Sequence, residues 1–104
     1  MKEVTVQELQ KMIENKEDFQ LIDVREDFEN EVSNLGGFHI PLGGIMLETE
    51  KIAKDKPVII HCRSGKRSAQ AIQQLEEKGF DNLANLKGGI LAWQKEIDPS
   101  IEVY

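Results

Sequence analysis

Short apolar runs alternate with helix-type stretches along the whole 104-residue chain. That alternation limits the fold more than any other feature. Val58-Ile59-Ile60, opened by Pro57, is β-branched and uninterrupted by polar residues, the pattern of a buried strand. Gln20-Leu21-Ile22-Asp23-Val24 reads the same way, and Phe38-His39-Ile40 before Pro41 and Asn82 to Leu86 supply two more candidates. Helical signals fill the gaps. Thr5-Val6-Gln7-Glu8 is a capping box, flanked by Val4 and Leu9 at the hydrophobic-staple positions. Leu9, Met12 and Ile13 make the apolar face of the helix that follows. Glu26 to Val32 predicts a short acidic helix whose carboxylates form a solvated face. Ile45 to Ala53 predicts another helix, with Ile45, Leu47 and Ile52 in the core. A further helix, beginning near Ser68, turns Ala69, Ile72 and Leu75 inward. Gly79 suits its left-handed C′ position, with Phe80 folding back on Leu75. Gly88-Gly89 turns into a last helix holding Ile90, Leu91 and Trp93.

Strands that alternate with helices predict an open, mostly parallel α/β sheet covered by helices on both faces. The length suits one domain over residues 1–104. With 39% hydrophobic and 31% charged residues, the chain reads as globular rather than disordered. No apolar run approaches the length of a membrane span. Met1-Lys2-Glu3-Val4-Thr5 does not read as a secretory signal, and a single unpaired cysteine suits a reducing cytoplasm. The net charge of −6 disfavours nucleic acid as a partner. Cys62, His39 and His61 lack ligand spacing, so neither a metal nor another cofactor is expected.

Chemistry concentrates at Cys62. It follows the most apolar strand directly and opens a tight loop that contains Gly65 and the cations Arg63, Lys66 and Arg67. In parallel α/β sheets the functional crevice lies outside the carboxyl ends of the strands. A thiol placed there, before a helix N-terminus, meets free backbone N–H groups and the positive end of the helix dipole. Both favour the thiolate, the nucleophilic form of cysteine. His61 reads as a strand-end packing residue rather than a base, and His39 as structural. Asp23 and Arg25 are expected to fix the neighbouring loop through turn hydrogen bonds or an ion pair. Trp93 reads as core.

Three motifs in order carry a resemblance to the rhodanese family of sulfurtransferases, in its single-domain form. Leu21-Ile22-Asp23-Val24-Arg25-Glu26 is similar to the family's N-terminal motif. Cys62-Arg63-Ser64-Gly65-Lys66-Arg67-Ser68 is similar to its active-site loop, and Gly88-Gly89-Ile90-Leu91-Ala92-Trp93 to its C-terminal motif. The resemblance implies a sheet of about five parallel strands and a cysteine that cycles between thiolate and persulfide. Asn34-Leu35-Gly36-Gly37-Phe38-His39-Ile40-Pro41-Leu42 departs from the commonest form of the family. It is similar to rhodanese domains attached to E1-like activating enzymes, which points toward sulfur delivery to a biosynthetic partner.

Within this superfamily, Arg67 closes the loop as Cys-x4-Arg, whereas cysteine phosphatases use Cys-x5-Arg. The shorter loop disfavours a phosphatase or arsenate reductase. The expected activity is transfer of sulfane sulfur from thiosulfate or a related small anionic donor, through Cys62. Arg63, Ser64, Gly65, Lys66 and Arg67 are the expected donor-binding residues. The chain has no second cysteine, so the acceptor must be external: cyanide, a small thiol or a partner protein's cysteine. The other expectation is a non-enzymatic persulfide carrier in cofactor or thiolation biosynthesis. No membrane partner is expected, and the chain is expected to be a monomer.

Overall fold

The strand of Val58–His61 lies at the centre of a five-stranded sheet, paired on both edges and buried at all four residues. The computed structural model describes residues 1–104. In chain order its strands are β1 (Glu3–Val4), β2 (Gln20–Asp23), β3 (Phe38–His39), β4 (Val58–His61) and β5 (Leu83–Leu86). They lie in the order β1-β5-β4-β2-β3, and every pairing is parallel. The helices are α1 (Val6–Glu14), α2 (Asp27–Val32), α3 (Lys66–Glu77) and α4 (Gly89–Glu96).

Alternation along each strand sorts the core into two layers. Ile22, Val58, Ile60 and Leu83 face α3, which contributes Ala71, Ile72 and Leu75. Leu21, Ile59, Ala84 and Leu86 face the other way, against Val6 and Leu9 of α1, with Ala92 and Trp93 of α4 leaning on them. Burying a side chain of this size stabilises the fold by about 1.5–3 kcal/mol. The expected parallel sheet with helices on both faces is therefore the observed one.

Local signals decide the helix ends. Thr5 Oγ1 accepts from the Glu8 N–H at 3.1 Å, and the Thr5 N–H donates back to Glu8 Oε1 at 2.9 Å. At the end of α3, the Gly79 N–H reaches the Glu76 carbonyl and the Phe80 N–H reaches that of Leu75. This is the expected Schellman ending, with Gly79 at a φ of 95°.

Three expectations are corrected. Residues 45–53 are not an α-helix. Two 3-10 turns, Leu42–Leu47 and Thr49–Lys51, take their place. Gly43 and Gly44 lower helix propensity at the start of that segment. Ile45 and Ile52 are buried as expected, but Leu47 is 85% exposed. Ile13 is 43% exposed. It borders a shallow groove with Phe19, Leu21 and Phe38, where the two-residue edge strand β3 offers little to cover it. Finally, Glu29 of the acidic helix α2 is not part of a solvated face: it is 5% exposed.

Candidate active site

Cys62 leaves the carboxyl end of β4, and its side chain joins the core layer beneath α3. Only 1% of the residue is exposed. Gly65 ends the loop in the left-handed region, at a φ of 108°, and caps α3, which begins at Lys66 rather than near Ser68. That conformation favours glycine, and it curls the loop back so that its N–H groups face the sulfur. The Gly65 N–H donates to Sγ at 3.0 Å and the Ser68 N–H at 3.4 Å. Ser68 Oγ lies 3.4 Å from the same sulfur. Burial pushes the Cys62 thiol up, but the Ser68 hydroxyl and the N–H groups of Ser68, Gly65 and Ser64 outweigh it. The thiol is held below its ordinary value. A thiol that gives up its proton more readily, facing N–H donors, can form a nucleophilic thiolate without a separate base.

The three loop cations meet different fates. Lys66 is exposed and forms no ion pair. Arg63 is exposed, and its Nε donates to the Tyr104 carbonyl at 2.6 Å. The Tyr104 ring meets Phe28 of α2 edge-on at 4.7 Å. Arg67 is clasped by Glu29 in a two-pronged ion pair, at 2.6 and 2.9 Å. The hydrogen bond from Arg67 leads in holding the Glu29 carboxyl below the usual range. Ser64 is exposed at the loop tip.

Supporting groups approach from both neighbouring strands. After β5, Gly89 starts α4 at a φ of 61°, and a Cβ there would sit 2.5 Å from the Arg63 carbonyl oxygen. The first N–H groups of α4 hold the loop: Ile90 donates to the Cys62 carbonyl at 3.0 Å and Leu91 to that of Arg63 at 3.1 Å. Within β5, Asn85 Nδ2 donates to the Gly65 carbonyl at 3.0 Å, and its Oδ1 accepts from the Ser68 hydroxyl at 2.6 Å.

After β2, Arg25 donates through Nε and Nη2 to Asp23, the expected ion pair, and through Nη2 to the Ser33 carbonyl. Burial pushes the Asp23 carboxyl up, but the hydrogen bonds from Arg25 and Asn30 outweigh it and hold it below its ordinary value. His61 is fully buried, neither ring nitrogen has a protein partner, and burial pushes its pKa down. The ring is neutral and packs, as expected of a strand end. His39 Nε2 meets the Arg25 carbonyl at 2.7 Å, a structural contact.

Glu29, Ser68 and Asn85 belong to the site although the sequence reading did not select them. Asn85 did leave a signal: it is a polar residue in the middle of an apolar strand, on the Leu83 face that α3 covers. Ser68 lies in the first turn of α3, where a side chain leans back toward the loop before it.

Comparison with known proteins bears on the whole chain. The model of the rhodanese-like domain matches residues 5–96. YtwF of Bacillus subtilis (strain 168), a protein named only provisionally as a sulfurtransferase, is 39% identical over 100 residues. The match covers 95% of this chain and 96% of YtwF. A sulfurtransferase of Allochromatium vinosum is 34% identical, with 89% of this chain and 88% of that protein covered. The adenylyltransferase and sulfurtransferase MOCS3-2 of Zea mays is 32% identical over 97% of this chain, which spans only 23% of that protein. Among solved structures, a rhodanese-like domain protein from Staphylococcus aureus superposes with a TM-score of 0.85 at 30% identity. All of this chain and 99% of that one are covered.

Proposed function

The chain belongs to the rhodanese-like sulfurtransferase family, and from that premise we propose that it moves sulfane sulfur from thiosulfate or a related anionic donor through a persulfide on Cys62. The observation that carries this reading is the convergence of the Gly65 N–H, the Ser68 N–H and the Ser68 hydroxyl on one buried sulfur. The Cys62 thiolate attacks the outer sulfur of the donor. The donor's S–S bond breaks, and its electron pair leaves with sulfite. The outer sulfur, now bonded to Sγ, carries the negative charge among the loop N–H groups of residues 63–67, an arrangement that preorganised dipoles stabilise. Lys66 and Arg63 draw the anionic donor to the Cys62 loop, and Arg67 contributes its field from behind the Glu29 clasp. A thiophile such as cyanide, a small thiol or a protein cysteine then attacks the outer sulfur, and the pair in the Sγ–S bond returns to Cys62. Two half-reactions of this kind give ping-pong kinetics.

Intact-mass measurement after incubation with thiosulfate tests the reading. The expected result is a gain of one sulfur atom that cyanide removes and that Cys62→Ser never acquires. No adduct on the parent protein, or an equal adduct on Cys62→Ser, overturns it.

A second reading is favoured by the likeness to MOCS3-2, a longer protein with an adenylyltransferase function in its name. Here residues 1–104 act as one carrier domain in the cytoplasm, accepting persulfide from a partner protein. Loading from a protein persulfide that far outpaces loading from thiosulfate supports the carrier; the reverse supports the thiosulfate enzyme.

A further inference from the structure

One proton has two claimants beside the reactive sulfur. The Ser68 hydroxyl carries a single hydrogen. It lies 2.6 Å from Asn85 Oδ1 and 3.4 Å from Cys62 Sγ. Asn85 cannot turn over to relieve the competition. Its Nδ2 donates to the Gly65 carbonyl at 3.0 Å, and the reversed amide would set two oxygens against each other there. Both Ser68 and Asn85 are buried, so water does not settle the contest.

We propose that Asn85 is a positioning residue for the chemistry at Cys62: it decides which way the Ser68 hydroxyl proton points, and so how readily the sulfur carries charge. The proposal rests on the reading that Cys62 reacts as a thiolate. In the thiol state the S–H donates to Ser68 Oγ, whose own proton goes to Asn85 Oδ1, and every group is satisfied. When Cys62 loses its proton, the sulfur becomes acceptor only. The Ser68 proton must then swing to Sγ, and Asn85 Oδ1 is left facing an oxygen with no hydrogen between them. Asn85 therefore opposes the bare thiolate. In the persulfide the charge moves to the outer sulfur, Sγ becomes a weak acceptor, and the Ser68 proton returns to Asn85. The arrangement disfavours the sulfur-free thiolate relative to both the thiol and the loaded form, which favours keeping sulfur once it has been gained.

Arg67 acts on the sulfur through space and favours its charged form whichever way the Ser68 proton points, and Asp23 at the end of β2 is neutralised by Arg25. Arg63 and Lys66 stand on the exposed loop and first turn, while Arg67 is clasped by Glu29 of α2. The 3-10 turn Leu42–Leu47, which packs on α3, carries no charge, and neither does β5. His61, next in the chain, is buried and neutral.

The test is a titration of the thiolate's ultraviolet absorbance against pH in the full chain and in Asn85→Ala, Ser68→Ala and the double variant. Asn85→Ala is expected to raise the thiolate-to-thiol ratio at a fixed pH within the titration by about three- to tenfold, the size of one modest hydrogen bond. Ser68→Ala is expected to lower the ratio. In the Ser68→Ala background, Asn85→Ala is expected to add nothing. An unchanged or lower ratio in Asn85→Ala, or the same shift in both backgrounds, overturns the proposal.

If Asn85→Ala does not fold, Asn85→Leu, of similar volume and with no acceptor, takes its place. The ratio is expected to rise, and to be unchanged once Ser68 is alanine. An equal rise in both backgrounds overturns the proposal. No sulfur donor enters this titration. A protein that titrates as expected yet takes no sulfur from thiosulfate refutes the proposed function and leaves Asn85's role standing.

Discussion

Lys66 and Arg67 are adjacent in sequence and opposite in circumstance. Lys66 is exposed and without an ionic partner, so its charge is available to an incoming anion. Lys66→Ala is expected to raise the KM for thiosulfate several-fold with little change in kcat, and the difference is expected to shrink as salt rises. Initial rates at low and high ionic strength check this; a salt-independent loss of kcat contradicts it. Arg67 is half-buried and holds a buried carboxylate. Arg67→Ala strands Glu29, and after screening at the partly exposed guanidinium it is expected to cost about 1–2 kcal/mol in urea unfolding. The sequence singles out Cys62 because strand, glycine, cations and helix start are contiguous around it. It concealed the Glu29 clasp because the partners lie 38 residues apart, and one carboxylate in an acidic stretch looks like its neighbours until the fold buries it.

The elements were legible to the extent that their signals are local. The capping box of α1, the glycine ending of α3 and the unbroken apolar run of β4 each state a backbone conformation within a few residues. Ile45 to Ala53 reads as a helix because its apolar spacing mimics one, while Gly43 and Gly44 just before it and the packing on α3 select 3-10 turns over Leu42–Leu47 and Thr49–Lys51. The pair Gly88-Gly89 is legible as a turn. Its full role depends on α4 pressing its first N–H groups onto the carbonyls of Cys62 and Arg63. Gly89→Ala drives a methyl group into that backbone. It is expected to cost at least about 2 kcal/mol and to displace the loop, so sulfur loading by intact mass should fall even where circular dichroism remains native. A folded variant that loads normally contradicts the account.

For the whole molecule, buried ionisable groups set the response to acid. His61 is kept neutral by burial, with its folded pKa below the ordinary 6.5. As pH drops below 6.5 the unfolded chain takes up a proton that the folded chain refuses, so stability declines in that window. Asp23 and Glu29 are held below their ordinary 3.8 and 4.5. Their contribution is complete above those values and is lost as pH falls through the depressed folded ones. Urea midpoints measured downward from neutral pH are therefore expected to show two declines, and His61→Leu is expected to abolish the first. A flat profile from pH 7 to 5 in the parent protein contradicts this.

Seating Cys62 directly after β4 has a further consequence, in the protein's fluctuations. The edge strands β1 and β3 are two residues long and free to fray, whereas β4 is held by β2 on one side and β5 on the other. The strand that ends at the sulfur is therefore expected to open more rarely than either edge of the sheet. Hydrogen exchange at the amides of β4 is expected to be slower than at those of β1 and β3.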